Sequence, residues 1–181
     1  MFLLFYFMFL NQFERKKILK IIDYRFTNIA EEIISHDEYE KTKLIKHHSE
    51  NSVYDHSVKV AYYSYLIAYK SNLDWKSCIR GGLLHDFHLY QFNKRRHIGI
   101  IKDSIYHAIN HPKIAFKNAS KYFELNCKEK DIIVGHMFPF GVPKSPEAWI
   151  VSFVDKYIAI FEYCGNAKKL IIKNWKKAFA K

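Results

Sequence analysis

The sequence predicts a single domain of the all-α class, and three observations support this. Its 181 residues are enough to enclose one sizeable hydrophobic core. Hydrophobic residues make up 49% of the chain and aromatic residues 17%, which argues against disorder. Only six glycines and four prolines are present, which favours long helices over hairpins. No stretch of the sequence requires a β-strand.

The N-terminal half predicts three helices. Isoleucines recur at helical spacing over residues 12–35, and apolar residues form one stripe over residues 52–69. Asp74 has a side chain suited to capping the N-terminus of the third helix. We expect that helix to end near His85 and Asp86.

In the C-terminal half, residues 88–110 are polar and basic, and we expect a loop there with one short helix. Pro112 suits the first turn of a helix, so the next helix is predicted to begin beside it. Asn126 and Glu129 have the spacing of a capping box for the helix that follows.

The two ends of the chain carry further apolar sequence. Ser145 is predicted to cap a helix that runs to about Gly165, and residues 166–181 are predicted to form a basic amphipathic helix packed on the same domain. The apolar residues 1–10 are too few to cross a bilayer, which needs about 20. We expect them in a helix packed on the domain, with a membrane-surface anchor or an extended start of translation as alternatives.

Charge and cysteine content limit the classes of function. The formal net charge of +11 suits an anionic partner such as a nucleotide or phosphate ester, although a general bias towards lysine explains it equally well. No basic motif interleaved with aromatic residues is present, so a nucleic-acid partner is not expected. The three cysteines show no CxxC spacing, which argues against a disulfide framework or a thiolate zinc site and favours a cytoplasmic location.

Histidine and aspartate side chains interrupt the apolar faces of successive predicted helices. Asp155 is the clearest case, because Val151 and Ile158 flank it at helical spacing and a carboxylate on such a face needs a cation. The candidate metal ligands are His56, His85, Asp86, His111, His136 and Asp155. These nitrogen and oxygen donors suit Fe, Mn, Co, Ni, Zn or Mg. They are too many for one open catalytic ion but suffice for two ions if one carboxylate bridges them.

Five motifs occur in this order: SVYDHSVKVA, GGLLHDF, NHPKIA, VGHMFP and SFVDKY. Over residues 48–163 the chain resembles the HD-domain superfamily of metal-dependent phosphohydrolases, in particular the branch with two extra histidines and a binuclear site. It is also similar to the bacterial HD hydrolases that cleave diadenosine tetraphosphate. The resemblance implies a helical HD domain over residues 48–165, between an N-terminal helical extension (1–47) and the C-terminal helix (166–181).

The resemblance also implies a role for each ligand. His56, His85 and Asp155 would hold the first metal ion, Asp86 would bridge the two ions as the catalytic carboxylate, and His111 and His136 would complete the second. Two divalent ions are expected, with Fe or Mn favoured over Co, Ni, Zn or Mg. A metal-bridging hydroxide would attack phosphorus.

The chain departs from the family pattern after the HD pair, where many relatives carry a lysine that binds phosphate and this chain has HDFHLYQFNKRR. Basic residues elsewhere could take that role. The candidate substrate contacts are His48, Lys94, Arg95, His107 and Lys156. The first four would also be stable as solvated side chains, and Lys156 could instead pair with a nearby acid. We expect His36, His88 and His97 at the surface.

The leading hypothesis is therefore a phosphohydrolase acting on a nucleotide or another small phosphorylated metabolite. The same ligand set would also suit a mixed-valent di-iron oxygenase. A third alternative is a module that binds a nucleotide or metal without turnover. The sequence predicts no membrane span and does not determine the oligomeric state.

Overall fold

The computed structural model describes residues 24–46, 51–89 and 100–178. Within these ranges it contains α-helices, one 3-10 turn at Lys41–Leu44, and an isolated β-bridge between Lys46 and Ser52 but no strand. The helices, in chain order, are α1 (Tyr24–Ile34), α2 (Asp37–Glu40), α3 (Val53–Lys70), α4 (Trp75–Leu84), α5 (Ile100–Tyr122), α6 (Cys127–Gly135) and α7 (Pro146–Ala178). The prediction of an all-α fold is confirmed.

The capping residues predicted for α4, α6 and α7 are all confirmed. Asp74 accepts a hydrogen bond from the third residue of α4. Asn126 and Glu129 form a reciprocal capping box at the start of α6, and the Ser145 hydroxyl accepts from a backbone N–H of α7 at 3.2 Å. Each such cap stabilises its helix by about 1 kcal/mol. These caps fix where the helices that carry the histidines and aspartates begin.

Two predicted boundaries are wrong. Helix α5 begins at Ile100, so residues 100–110 are helical rather than a loop, and Pro112 lies inside the helix. Helix α7 continues through Gly165 to Ala178 instead of ending there. A proline in a helix interior costs about 3 kcal/mol and a glycine about 1 kcal/mol. Such local costs are overridden when a helix packs along its length, as α5 does through the buried Ala115 and Ala119.

Helix α4 lies at the centre of the bundle, where it packs against α1, α3, α5, α6 and α7. Two glycines allow this close packing. A Cβ atom added to Gly82 would lie 2.8 Å from the Cα atom of Ala61 in α3, and one added to Gly81 would lie 2.7 Å from Ile132 Cδ1 in α6. The missing side chains therefore allow both α3 and α6 to approach α4 closely.

The buried apolar side chains form two clusters around this central helix. One includes Tyr65, Leu83 and Phe87, and the other includes Val60 and Val151. No helix among the described residues is both long enough and apolar enough to cross a membrane.

The predictions for residues 1–23, including the apolar residues 1–10, lie outside the described residues. The division into an extension, a central domain and a C-terminal helix stays a prediction.

Candidate metal centre

The structure brings together all six residues that the sequence predicts as metal ligands. They come from α3, from the turns that follow α4 and α6, from α5 and from α7. All are buried, with exposed fractions between 0% and 8%. These residues are His56, His85, Asp86, His111, His136 and Asp155. Because such polar groups are costly to bury without partners, their convergence indicates a functional site.

One part of the centre is formed by His56, His85 and Asp155. One ligand atom from each lies within 4.8 Å of the others, a spacing that one metal ion could span. The Oδ1 atom of Asp155 is 3.0 Å from His56 Nε2 and 3.7 Å from His85 Nε2. Two imidazole nitrogens thus face one carboxylate oxygen.

The other part is arranged around Asp86. Its Oδ1 atom is 3.2 Å from His111 Nε2 and 3.7 Å from His136 Nε2. Its Oδ2 atom is 3.6 Å from His85 Nε2. The Nε2 atoms of His111 and His136 are themselves 2.8 Å apart. Asp86 therefore lies between His85 of the first group and the two histidines of the second, the position that a bridging carboxylate requires.

The orientation of three imidazole rings is fixed by the backbone. Each ring faces, through Nδ1, a carbonyl three or four residues earlier in the chain: His85 that of Gly82 (2.8 Å), His136 that of Ile133 (2.8 Å) and His111 that of His107 (3.0 Å). Because a carbonyl oxygen only accepts, Nδ1 carries the hydrogen in each case. In the neutral imidazole, Nε2 is then left with a lone pair that points to the centre, as in histidines that bind metals.

The donor atoms of the centre fit divalent ions. His85 Nε2 is fully buried and makes no hydrogen bond within the described part of the chain. An unsatisfied buried donor or acceptor costs about 1–3 kcal/mol. A metal ion would remove this cost, and imidazole together with carboxylate suits the borderline and hard divalent metals. The Nε2 atom of His85 lies within 4 Å of both carboxylates, at 3.6 Å from Asp86 and 3.7 Å from Asp155.

Glu162 belongs to the centre but was not found from the sequence. Its Oε2 atom lies 3.3 Å from Nδ1 of His56, and its Oε1 atom accepts a hydrogen bond from Lys59 Nζ at 2.8 Å. It thus orients the fourth imidazole as the carbonyls orient the other three. The available signal was its position seven residues after Asp155, which places both carboxylates on one face of α7.

The electrostatics of the centre differ from one histidine to the next. Burial disfavours the charged form of His56, but the hydrogen bonds to Asp155 and Glu162 prevail and raise its pKa to about 10. Burial opposes ionisation of Asp155, yet the hydrogen bond from His56 holds its pKa well below the usual range. Burial and the nearby imidazoles lower the pKa of His136 to about 3. At neutral pH a metal ion must therefore displace a proton from His56.

The predicted substrate contacts are placed only in part. His107 is half-buried beside the centre, where its ring stacks on that of His111 with centroids 4.7 Å apart. Three others, His48, Lys94 and Arg95, lie outside the described residues. A role for each of these four in binding substrate stays a prediction.

Lys156 is held against the backbone of the centre. Its ammonium group donates to the carbonyl of His136 at 2.6 Å and to the hydroxyl of Ser152 at 3.0 Å. Burial lowers the pKa of this lysine. These contacts join α7 to the turn that presents His136, and a role of Lys156 in binding substrate stays a prediction.

The expectation that His88 lies at the surface is wrong. Its exposed fraction is 4%, and its ring centroid lies 6.0 Å from that of His107 and 6.4 Å from that of His111. The residue follows the last turn of α4, and the chain there brings its ring beside α5. His36 is half-buried and caps α2, and His97 lies outside the described residues.

In a comparison with protein families, the family model described as HD domain matches residues 53–160, which is more than half of the chain. Comparison with curated proteins and with solved structures found no match. The matched range includes all six converging residues. HD domains are helical, bind divalent metals and are mostly metal-dependent phosphohydrolases. By its fold, its buried histidine and aspartate residues and this match, the chain belongs to the HD domain family.

Proposed function

We propose that this protein is a phosphohydrolase that uses two divalent metal ions. One observation supports the proposal above all others: four buried imidazoles direct Nε2 towards two buried carboxylates, while their Nδ1 atoms are occupied by other partners. A structural histidine needs no such arrangement, whereas a metal-binding histidine typically has one.

In this proposal the residues divide as the resemblance to the family implies. His56, His85 and Asp155 would hold one ion, His111 and His136 would hold the other, and Asp86 would be shared between them. Bound ions would neutralise charge on a phosphate and lower the pKa of water. The chain itself supplies fixed rings, a carboxylate between both histidine groups, and a buried setting in which charges interact strongly.

We propose a nucleotide or another small phosphorylated metabolite as the substrate. His107 is beside the centre and could donate to a phosphate oxygen, and Lys156 supplies a cation next to Asp155. His48, Lys94 and Arg95 would add further basic groups. The net charge of +11 favours the approach of anions. The three cysteines are free thiols, which supports a reducing cytoplasm as the location.

The deciding experiment combines metal analysis with a substrate screen. Freshly purified protein is analysed for metals, then loaded separately with Fe, Mn, Co or Mg. Each form is assayed with phosphomonoester and phosphodiester probes and with a panel of nucleotides. We expect close to two ions per chain, with Fe or Mn favoured, and release of phosphate or nucleotide that depends on the metal.

Three outcomes would contradict the proposal. If no metal-loaded form cleaves any probe, the hydrolase assignment fails. If the iron form shows the EPR signal of a mixed-valent pair and consumes dioxygen with a substrate, the protein is an oxygenase on the same ligands. If it binds nucleotides tightly without forming product, it is a binding module.

A further inference from the structure

The segment 137–161, which leads into α7 and forms its first half, has an unusual distribution of charge. It contains four charged residues, and three of them face the interior. Glu147 is 2% exposed and bonds Lys128, Asp155 belongs to the metal centre, and the ammonium group of Lys156 donates to a buried carbonyl. Only Lys144 points to solvent. The first half of α7 therefore lacks the charged side chains that normally cover the solvent-facing side of a surface helix.

The outside of the same segment is apolar and largely aromatic. We use the name aromatic face for six residues that are between 43% and 63% exposed: Phe138, Phe140, Val142, Phe153, Ile160 and Phe161. The half-buried Trp149 connects two of them, because its ring lies 5.1 Å from that of Phe138 and is stacked at 5.5 Å on that of Phe153. The ring contacts therefore join the turn after α6 to α7, and Phe153 and Ile160 share one side of this helix because they are seven residues apart.

The size of this face matches that of a protein interface. A fully exposed aromatic side chain presents roughly 200 Å², so the exposed fractions of the six residues amount to roughly 600 Å². This is the upper end of what a monomer normally exposes in one apolar patch. Two copies that buried it together would cover roughly 1,200 Å², which reaches the range of stable protein–protein interfaces.

We propose that the aromatic face is the interface of a homodimer in which α7 of one copy packs against α7 of the other. Two observations favour a second copy as the partner. Because each chain carries a net charge of +11, two copies repel over most of their surfaces and can approach best through an uncharged region. In addition, Trp149, Phe153 and Ile160 lie on one side of a long helix, and such a stripe is self-complementary about a two-fold axis.

In such a dimer, α7 would contribute to the metal centre with its inner side and to the interface with its outer side. Asp155 projects from α7 into the centre, while Phe153 and Ile160 project outwards from the same turns. The proposed dimer does not depend on the proposed phosphohydrolase activity. The two can be tested separately, since association is measured without substrate or metal.

The test is the mass of the full chain in solution, measured by light scattering after size exclusion between 5 and 100 μM. We expect twice the chain mass of 21.7 kDa for the wild type. Phe153→Glu and, separately, Ile160→Glu should each reduce the mass to that of one chain, because a carboxylate would be buried at the interface. Both side chains are more than 60% exposed in the monomer, so each glutamate is solvated there and the fold persists. Leu44→Glu, at a residue 77% exposed outside the face, is the matched control and should stay dimeric.

The proposal is overturned if the wild type stays a monomer at 100 μM. It is also overturned if both glutamate variants remain dimers while circular dichroism shows that they are folded. A sedimentation assay with vesicles containing a quarter phosphatidylglycerol tests the other partner that an aromatic surface on a basic protein would suit. A monomer that binds these vesicles, and loses binding on Phe153→Glu, would assign the face to a membrane surface and exclude the dimer.

Discussion

Replacing Asp86 by asparagine tests the metal centre most directly. The side chain is 4% exposed, and its two oxygens lie 3.2–3.7 Å from His85, His111 and His136. Asparagine keeps the shape and one oxygen but removes the charge that would bridge two cations. The expected consequence is the loss of metal binding at both positions, since His111 and His136 would keep no carboxylate and the group of His85 and Asp155 would lose the carboxylate that it shares with them.

The expected change in Tm can be calculated because a metal ion that binds only the folded state stabilises it. An ion present at 1,000 times its Kd stabilises the folded state by about 4 kcal/mol, so two ions contribute about 8 kcal/mol. For a chain of this size 1 kcal/mol corresponds to about 2–4 °C in Tm, which predicts an increase of roughly 16–32 °C in the wild type. Asp86→Asn should show less than a quarter of this increase, together with a loss of turnover of at least 1,000-fold.

The assay is differential scanning fluorimetry with and without Mn²⁺ or Fe²⁺, after treatment with EDTA. Asp37→Asn is the control, because Asp37 is an exposed carboxylate in the first turn of α2 and is not one of the proposed ligands. It should keep the full increase in Tm. An Asp86→Asn protein that gains as much from metal as the wild type would refute the bridging role, and a wild type that gains nothing would refute the metal centre.

Three further predictions concern the surroundings of the centre. The pKa of His56 rises from 6.5 to about 10 on folding. The contribution of His56 to the free energy of unfolding is therefore complete below pH 6.5 and is lost as the pH rises through 10. Denaturation in urea with EDTA should therefore show the wild type losing about 2–3 kcal/mol between pH 7 and 9, and Glu162→Gln losing less. Lys156→Met should reduce the affinity for metal about 10-fold or more by releasing the carbonyl of His136, and should raise KM by removing the proposed cation near the phosphate. An unchanged metal affinity would contradict the first role, and an unchanged KM would contradict the second. Gly82→Ala should destabilise the fold by about 1–3 kcal/mol, because its Cβ would meet the backbone of α3, and an unchanged midpoint in urea would contradict the close packing.

Much of the fold could be predicted because its determinants are local. The caps at Asp74, Asn126 and Ser145 each depend on residues within one helical turn, and the structure places them as predicted. The six converging residues were also predictable, since each one interrupts an apolar stripe where a polar side chain would otherwise be unfavourable. Their order along the chain then matched a known family.

The features that the sequence did not predict all depend on packing between distant segments. Pro112 and Gly165 signal helix ends locally, but both lie inside helices that continue through them. Glu162 appears as one more acidic residue on α7 until its distance of 3.3 Å from His56, 106 residues earlier, is known. His88 appears as a loop residue until the turn after α4 brings it beside α5.

The backbone partners of three imidazoles make the centre unevenly vulnerable to mutation. His85, His111 and His136 are oriented by carbonyl groups, which every amino acid supplies, so these three contacts do not depend on the side chain that the partner residue carries. Gly82 is restricted by its packing against α3 and not by its contact with His85. The Nδ1 atom of His56 faces instead the side chain of Glu162, which a single substitution can remove. Among substitutions outside the six proposed ligands, we therefore expect those at Glu162 to disturb the centre most directly, through the orientation of His56.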